Sequence, residues 1–445
     1  MLYLAYNNQK NRAQKQRSTM NTKQSTISVL MLPWLAHGHI SPFLELAKKL
    51  SHRNFHIYLC STPINLKSIK NRITERYSHS IELVEIHLPS LPELPPHYHT
   101  TNGLPTHLNS ALHTAFEMAS PSFFTILNTL TPDLVIHDFT PSWPPTIASS
   151  FNIPAVQLMT SSPTFHETRF HHTIENATKK SKGKQAAPVN DQHEMKPPCK
   201  IVLYNTFREL EGKCIDYLSD IGGTKVLPVG PLVKENIDDE NEHSKIIQWL
   251  DNKDESSTLF VSFGSEYFMS KEDIEEIAHG LELSKVNFIW VVRFPVGEKV
   301  ELEEALPKGF IERVGERGMV VEGWAPQARI LAHSSTGGFV SHCGWNSVLE
   351  SLTFGIPIVA MPMHLDQPLN ARLVEEIGVA MEVIRDENGR RNREAIAQVI
   401  RKIVVEKSGE DIRIKAREFS EKIRMKGEEE IDEVVEELFQ LCKDR

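Results

Sequence analysis

The chain has 445 residues, and its 49 Lys and Arg against 58 Asp and Glu give a formal charge of −9. A net-negative chain is a poor candidate for a nucleic-acid binder, which must neutralise phosphates with a basic face, so no nucleic-acid partner is expected. The five cysteines (Cys60, Cys199, Cys214, Cys343, Cys442) are odd in number and free of Cys-x-x-Cys spacing, which speaks against a disulfide framework or zinc site and fits a reducing cytoplasm. No apolar run approaches the ~18 residues of a membrane span, so no stable membrane insertion is expected.

Residues 1–24 carry Lys10, Arg12, Lys15, Arg17 and Lys23 and no acid, and read as a disordered basic extension, with Met20 as an alternative start. From Ile27 the pattern alternates between continuous apolar runs and helical segments. Strands are expected at Ile27–Leu32, His56–Cys60, Ile81–Leu88, Asp133–Asp138 and Ile201–Tyr204, with helices such as Pro42–Leu50 and Leu108–Leu130 between them. A second series follows at Thr258–Phe263, Phe288–Val292, Met319–Glu322, Gly338–Ser341 and Ile356–Met361, with helices at Lys271–Leu283 and Ser347–Phe354. Apolar strands between helices require a parallel sheet covered on both faces. The fold class is therefore α/β, with two facing Rossmann-like domains and a cleft at the carboxyl ends of their strands.

The boundaries read as an N-terminal domain over 25–233, a polar, acidic linker at 234–243 and a C-terminal domain over 244–427. A last helix within 428–445 presents Ile431, Val434, Val435, Leu438 and Leu441 at helical spacing, and is expected to return to the N-terminal domain. The stretch 175–200 holds six lysines, three prolines and the sequon Asn176–Thr178, and reads as a mobile loop whose sequon is idle.

The densest signal is Trp324–Gln367. A strand ends there in the turn His342–Cys343–Gly344, and a helix opens at about Trp345. Free backbone N–H groups and the positive end of a helix dipole make such a turn a diphosphate site. His342, Asn346 and Ser347 add side-chain donors, and Glu350, one turn on, presents an acceptor for ribose hydroxyls. Trp324 offers a flat surface for a base, while Asp366 and Gln367 suit sugar hydroxyls. No Asp-x-Asp occurs, so no metal bridge to a diphosphate is expected; the helix dipole and neutral donors must stabilise the leaving group.

Over these 44 residues the chain resembles the signature box of the plant secondary-product UDP-glycosyltransferases. The opening PWLAHGHISPFLELA, the stretch FVSFGSEYF and the RDENG run extend the likeness from about Ile27 to the end. The resemblance implies the GT-B fold, an acceptor-binding first domain and a UDP-sugar-binding second. It implies that Trp324 stacks on uracil, that the Ala325 backbone and Gln327 hold uridine, and that His342, Asn346 and Ser347, with Ser265, bind the diphosphate beside Gly344. Glu350 is then the ribose ligand, and Asp366 and Gln367 the sugar ligands. Gln at 367 implies UDP-glucose as co-substrate, with no separate cofactor.

Transfer to a hydroxyl needs a general base, since an alcohol is a weak nucleophile. His39 follows the first strand and Asp138 closes another, so both lie at carboxyl ends in one sheet. A carboxylate on the second ring nitrogen would fix the tautomer and stabilise the imidazolium. Both residues match the family's catalytic His and partner Asp. His37 is the rival in the His-Gly-His turn, but the Gly-His-x-x-Pro match favours His39 and leaves His37 to the acceptor pocket. Single displacement by this base would invert an α-donor to a β-glucoside.

The opening segment and HLDQPLNARLVEEIGVA look most like the branch-forming members, which add a sugar to the sugar of a flavonoid or terpenoid glycoside. The 175–200 segment is shorter than its counterpart in the family, and a missing wall there would widen the cleft for such an acceptor. The expected partners are UDP-sugar and a small-molecule glycoside, acted on by a monomer. The rivals are a glucosyltransferase acting on bare aglycones, a nucleotide-sugar epimerase, for which no motif is present, and a silent UDP-sugar binder, against which His39 and Asp138 count. A nicotinamide dehydrogenase has no Gly-x-Gly-x-x-Gly after any strand to support it.

Overall fold

The structure, a computed structural model, describes residues 26–169, 199–234, 244–294 and 302–444. The basic extension, nearly all of the 175–200 segment with its sequon, and all but the first residue of the expected linker lie outside these residues.

Two all-parallel sheets form the molecule. The first has the order β3-β2-β1-β4-β5-β6-β7, built from β1 (Ile27–Leu32), β2 (Phe55–Ser61), β3 (Ile81–Glu85), β4 (Leu134–His137), β5 (Ala155–Met159), β6 (Ile201–Tyr204) and β7 (Lys225–Pro228). The second has the order β10-β9-β8-β11-β12-β13, built from β8 (Thr258–Ser262), β9 (Asn287–Val292), β10 (Gly318–Glu322), β11 (Thr336–Ser341), β12 (Ile358–Ala360) and β13 (Ala380–Glu382). Central strands are buried on both faces, which is why they read as unbroken apolar runs. The order in which strands are added reverses in each sheet between β1 and β4, and between β8 and β11, although every pair is parallel. Open α/β sheets leave a crevice at such points.

Several elements differ from their expected extents. The first helix runs from His37 to Ser51, so His37 and His39 lie in its first turn rather than before it. The expected helix Leu108–Leu130 is two helices, Asn109–Glu117 and Ser120–Leu130, because the chain turns at Met118 and Ala119. The last helix starts at Glu410 and runs unbroken to Lys443. Its first part buries Ala416 and Ile423 in the second half, against Leu349 and Leu352 of the helix Trp345–Phe354. Its second part buries Ile431, Val434 and Leu438 in the core under β1 and β2. Each buried Ile, Val or Leu contributes roughly 1.5–3 kcal/mol, so this one helix ties the two halves together.

Candidate functional site

Both crevices open on one cavity of about 1060 Å³ between the sheets. β1 delivers the chain to the helix His37–Ser51, placing His39 at its wall, and β4 ends at His137 so that Asp138 follows at once. His39 Nδ1 lies 2.8 Å from Asp138 Oδ2. The carboxylate is fully buried and also accepts the backbone N–H of Trp34 at 3.1 Å and that of Phe139 at 2.8 Å. These bonds fix the carboxylate and assign Nδ1 as the nitrogen that donates to it, leaving Nε2 to receive a proton. Burial disfavours the charged ring, but the Asp138 charge and hydrogen bond, with Glu266 and Asp366 nearby, outweigh it and hold the His39 pKa above its ordinary value.

His37 takes a different place. It does not line the cavity but meets the Trp324 ring at 5.8 Å, and burial together with Arg72 and Arg293 lowers its pKa. The expectation that it borders the acceptor pocket is thereby corrected: two residues along a helical turn rotate a side chain by about 200° around the axis.

On the opposite wall, β8 leads to Gly264 and Ser265, and β11 to His342. Gly264 has φ +78, and a Cβ on it would sit 2.6 Å from His342 Nε2; one on Gly344 would sit 2.5 Å from the same atom. The imidazole is thus wedged between two glycines, neutral, with its pKa pushed down to about 4 by burial. Its Nδ1 is buried and has no partner among the described residues. Cys343 takes φ +63 and turns the chain into the helix Trp345–Phe354. The first intrahelical bond there runs from Val348 N–H to the Gly344 carbonyl at 3.1 Å, so the N–H groups of Trp345, Asn346 and Ser347 have no intrahelical partner. Trp345, Asn346 and Ser347 line the cavity, and the Trp345 side chain, otherwise buried, donates its indole N–H to the Asn205 carbonyl at 2.7 Å.

Trp324, Ala325, Gln327 and Glu350 lie beside the cavity rather than in its lining, joined to it by Gln327, whose Nε2 reaches Ser347 Oγ at 3.2 Å and also bonds Glu350. Trp324 is 53% exposed, with the Arg293 guanidinium 4.9 Å above its ring. Burial pushes the Glu350 pKa up to about 7, restrained by the Gln327 amide. Asp366 and Gln367 line the cavity at the start of the helix Gln367–Glu376. Burial raises the Asp366 pKa, against a 2.9 Å bond from Asn370 Nδ2. Gln367 Oε1 accepts the N–H groups of Met363 and His364 at 3.0 and 3.1 Å, which leaves its amide NH₂ for a ligand.

Thr160 and Glu266 were not singled out from sequence. The Thr160 hydroxyl lies 3.0 Å from His39 Nδ1, and Glu266 accepts a 2.6 Å bond from Thr101 across the cleft. Thr160 follows β5, a short strand of mixed polarity, and only the recognition of that strand would have pointed to it. Among the described residues, no three His, Cys, Asp or Glu side chains group in a way that could hold a metal ion. No described helix is long and apolar enough to cross a membrane. The arrangement can deprotonate a hydroxyl at one wall and stabilise an anion at the other.

Residues 25–234 match the family described as "Glycosyltransferase, N-terminal domain", and residues 215–408 match "UDP-glucoronosyl and UDP-glucosyl transferase". The chain is 55% identical to "UDP-glucosyltransferase 29" of Panax ginseng, over 95% of this chain and 99% of that protein. It is 53% identical to "Beta-D-glucosyl crocetin beta-1,6-glucosyltransferase" of Gardenia jasminoides, over 92% and 98% respectively. A crystal structure of a Glycyrrhiza uralensis glycosyltransferase superposes with a TM-score of 0.83 at 24% identity, covering 94% of this chain and 97% of that one, which shows a shared fold.

Proposed function

Since the chain belongs to the plant UDP-glycosyltransferases and is an enzyme of that family, we propose that it moves glucose from UDP-glucose to a sugar hydroxyl of a small-molecule glycoside. The observation that carries this reading is that the His39–Asp138 pair and the N-terminal turn of the helix Trp345–Phe354 face one cavity. His39 Nε2 takes the acceptor proton as the oxygen attacks the anomeric carbon from the side opposite UDP. The C–O bond to the diphosphate breaks, and the β-glucoside leaves with inverted configuration. Ser265, His342, Asn346, Ser347 and the helix N-terminus would receive the charge that develops on UDP, without a metal ion. Asp366 and Gln367 would hold the glucose hydroxyls, Glu350 the ribose, and Trp324, Ala325 and Gln327 the uridine.

Two observations favour a glycoside over a bare aglycone. The Gardenia relative, at 53% identity, is named for adding glucose to a glucosyl group. The cavity lining also offers both kinds of surface: Thr160 and Ser161 follow β5 where Thr160 meets His39, while Val202 of β6, Val226 of β7 and Leu218 of the helix Arg208–Gly222 line it further along the sheet. That arrangement suits an acceptor with a sugar near the base and an apolar body further along. A flavonoid or triterpenoid glycoside has this form, and the enzyme would act on it as a cytoplasmic monomer. UDP release with and without a panel of glycosides and aglycones, in EDTA, is the test. Acceptor-dependent release that EDTA leaves unchanged is expected; release without acceptor, or its loss on chelation, would refute the reading.

A further inference from the structure

Asn205 is fully buried just after β6, 141 positions in sequence from Asn346, and the cavity does not reach it. Its Oδ1 accepts the backbone N–H of Leu232 at 2.8 Å, and its Nδ2 donates to Asn346 Oδ1 at 3.2 Å. Asn346 Nδ2 in turn donates to the carbonyl of Gly38 at 2.6 Å, and Gly38 immediately precedes His39. The two ends of this chain are backbone groups of fixed polarity. Leu232 N–H can only donate, which turns Asn205 Oδ1 towards it and its NH₂ towards Asn346. Gly38 C=O can only accept, which turns the Asn346 NH₂ towards it. Both amides are therefore locked in one orientation, with the Asn346 NH₂ facing the cleft side of the helix N-terminus. The Asn205 carbonyl meanwhile accepts the Trp345 indole N–H at 2.7 Å, so one residue holds both the first residue of that helix and the amide that follows it.

We infer that Asn205 is a positioning residue: it sets the orientation of the Asn346 amide and the spacing between the diphosphate-binding helix and the His39 turn. This rests on the proposed role of Asn346 at the diphosphate. A backbone carbonyl and a phosphate oxygen are both acceptors, and the Asn346 NH₂ has one hydrogen for each only if it does not flip. An isosteric Asn205→Asp places an oxygen against Asn346 Oδ1, and relief by flipping Asn346 would turn its oxygen on Gly38 C=O and on the phosphate.

The test is a double-mutant cycle of Asn205→Asp and Asn346→Ala, reading kcat/KM for UDP-glucose and the Kd of UDP by calorimetry, with Tm and circular dichroism as folding controls. One net hydrogen bond corresponds to about tenfold. Asn205→Asp is expected to lower kcat/KM by about tenfold or more, and to add less than about twofold once Asn346 is alanine. A merely structural role would move Tm and multiply the two losses, and that product, like unchanged kinetics in Asn205→Asp alone, would overturn the inference. Unchanged UDP affinity and turnover in Asn346→Ala would instead refute the assigned diphosphate site, and the inference with it. If Asn205→Asp does not fold, Asn205→Ala, which removes one of the two groups that hold the Asn346 amide and leaves only the Gly38 carbonyl, enters the same cycle with the same expectation.

Discussion

Replacing Asp138 by Asn tests the dyad without changing its shape. Asp138 Oδ2 accepts from Trp34 N–H and His39 Nδ1–H, and Oδ1 accepts from Phe139 N–H. An amide has one oxygen, so either rotamer strands a buried backbone donor, at a cost of roughly 1–3 kcal/mol. With the NH₂ towards Phe139, His39 keeps its hydrogen bond but loses the charge behind it. With the NH₂ towards Trp34, His39 Nδ1 must accept, and the ring proton moves to Nε2, where the acceptor hydroxyl has to deliver its own. A charge-assisted bond contributes about 1.5–3 kcal/mol, and a general base typically 10²–10⁴ in rate, so kcat should fall on the order of 10²-fold or more. The pH profile gives the sign. Burial lowers the His39 pKa and Asp138 more than reverses this, so removing the carboxylate shifts the acid limb of kcat/KM to lower pH. Stability follows the same linkage. A His with a raised folded pKa lends stability that is full below its unfolded pKa and lost as pH rises through the folded one, so the variant should lose more stability in acid than in alkali. The assay is acceptor-dependent UDP release across pH at saturating UDP-glucose, with urea unfolding at both extremes. An unmoved acid limb with a plateau within about twofold of wild type would refute the pairing.

His39→Ala should lower transfer by about 10²–10⁴-fold while UDP binding by calorimetry survives, and His37→Ala should retain most activity; the reverse pattern would reassign the base. Gly264→Ala puts a Cβ 2.6 Å from His342 Nε2 on a backbone at φ +78, so UDP affinity should drop; an unchanged Kd would contradict the wedged imidazole. Leu438→Ala, fully buried beneath the first sheet, should cost roughly 2–5 kcal/mol in urea unfolding, and a cost under about 0.5 kcal/mol would deny the crossing helix its packing.

Much of the fold was legible because buried parallel strands write themselves as apolar runs: Ile27–Leu32 and Ile201–Tyr204 have the bounds expected of them. β5, β7 and β13 escaped notice because AVQLM, KVLP and AME are short and mix polar with apolar residues. The last helix exceeds the expected 428–445 because the charged run before it carries no sequence sign of where the helix starts, yet Ala416 and Ile423 pack on one half and Ile431 on the other through a continuous helix. His39 and Asp138 stood out because strand ends converge in such sheets. Thr160, Glu266 and Asn205 did not, because their partners lie 121, 165 and 141 positions away and no local pattern signals such pairs. Spacing alone also could not reveal that Gln367 spends its carbonyl on its own turn, nor that His37 faces Trp324.

The central claim is tested most directly by the linkage of the product. The purified enzyme is given UDP-glucose with a flavonoid or triterpenoid monoglucoside and, separately, with the matching aglycone, and each product is analysed by mass spectrometry and NMR. The account predicts a higher kcat/KM for the glucoside, with the new glucose β-linked to a hydroxyl of the existing sugar. Glucose attached to the aglycone in preference to that sugar, or an α-linkage, would contradict it.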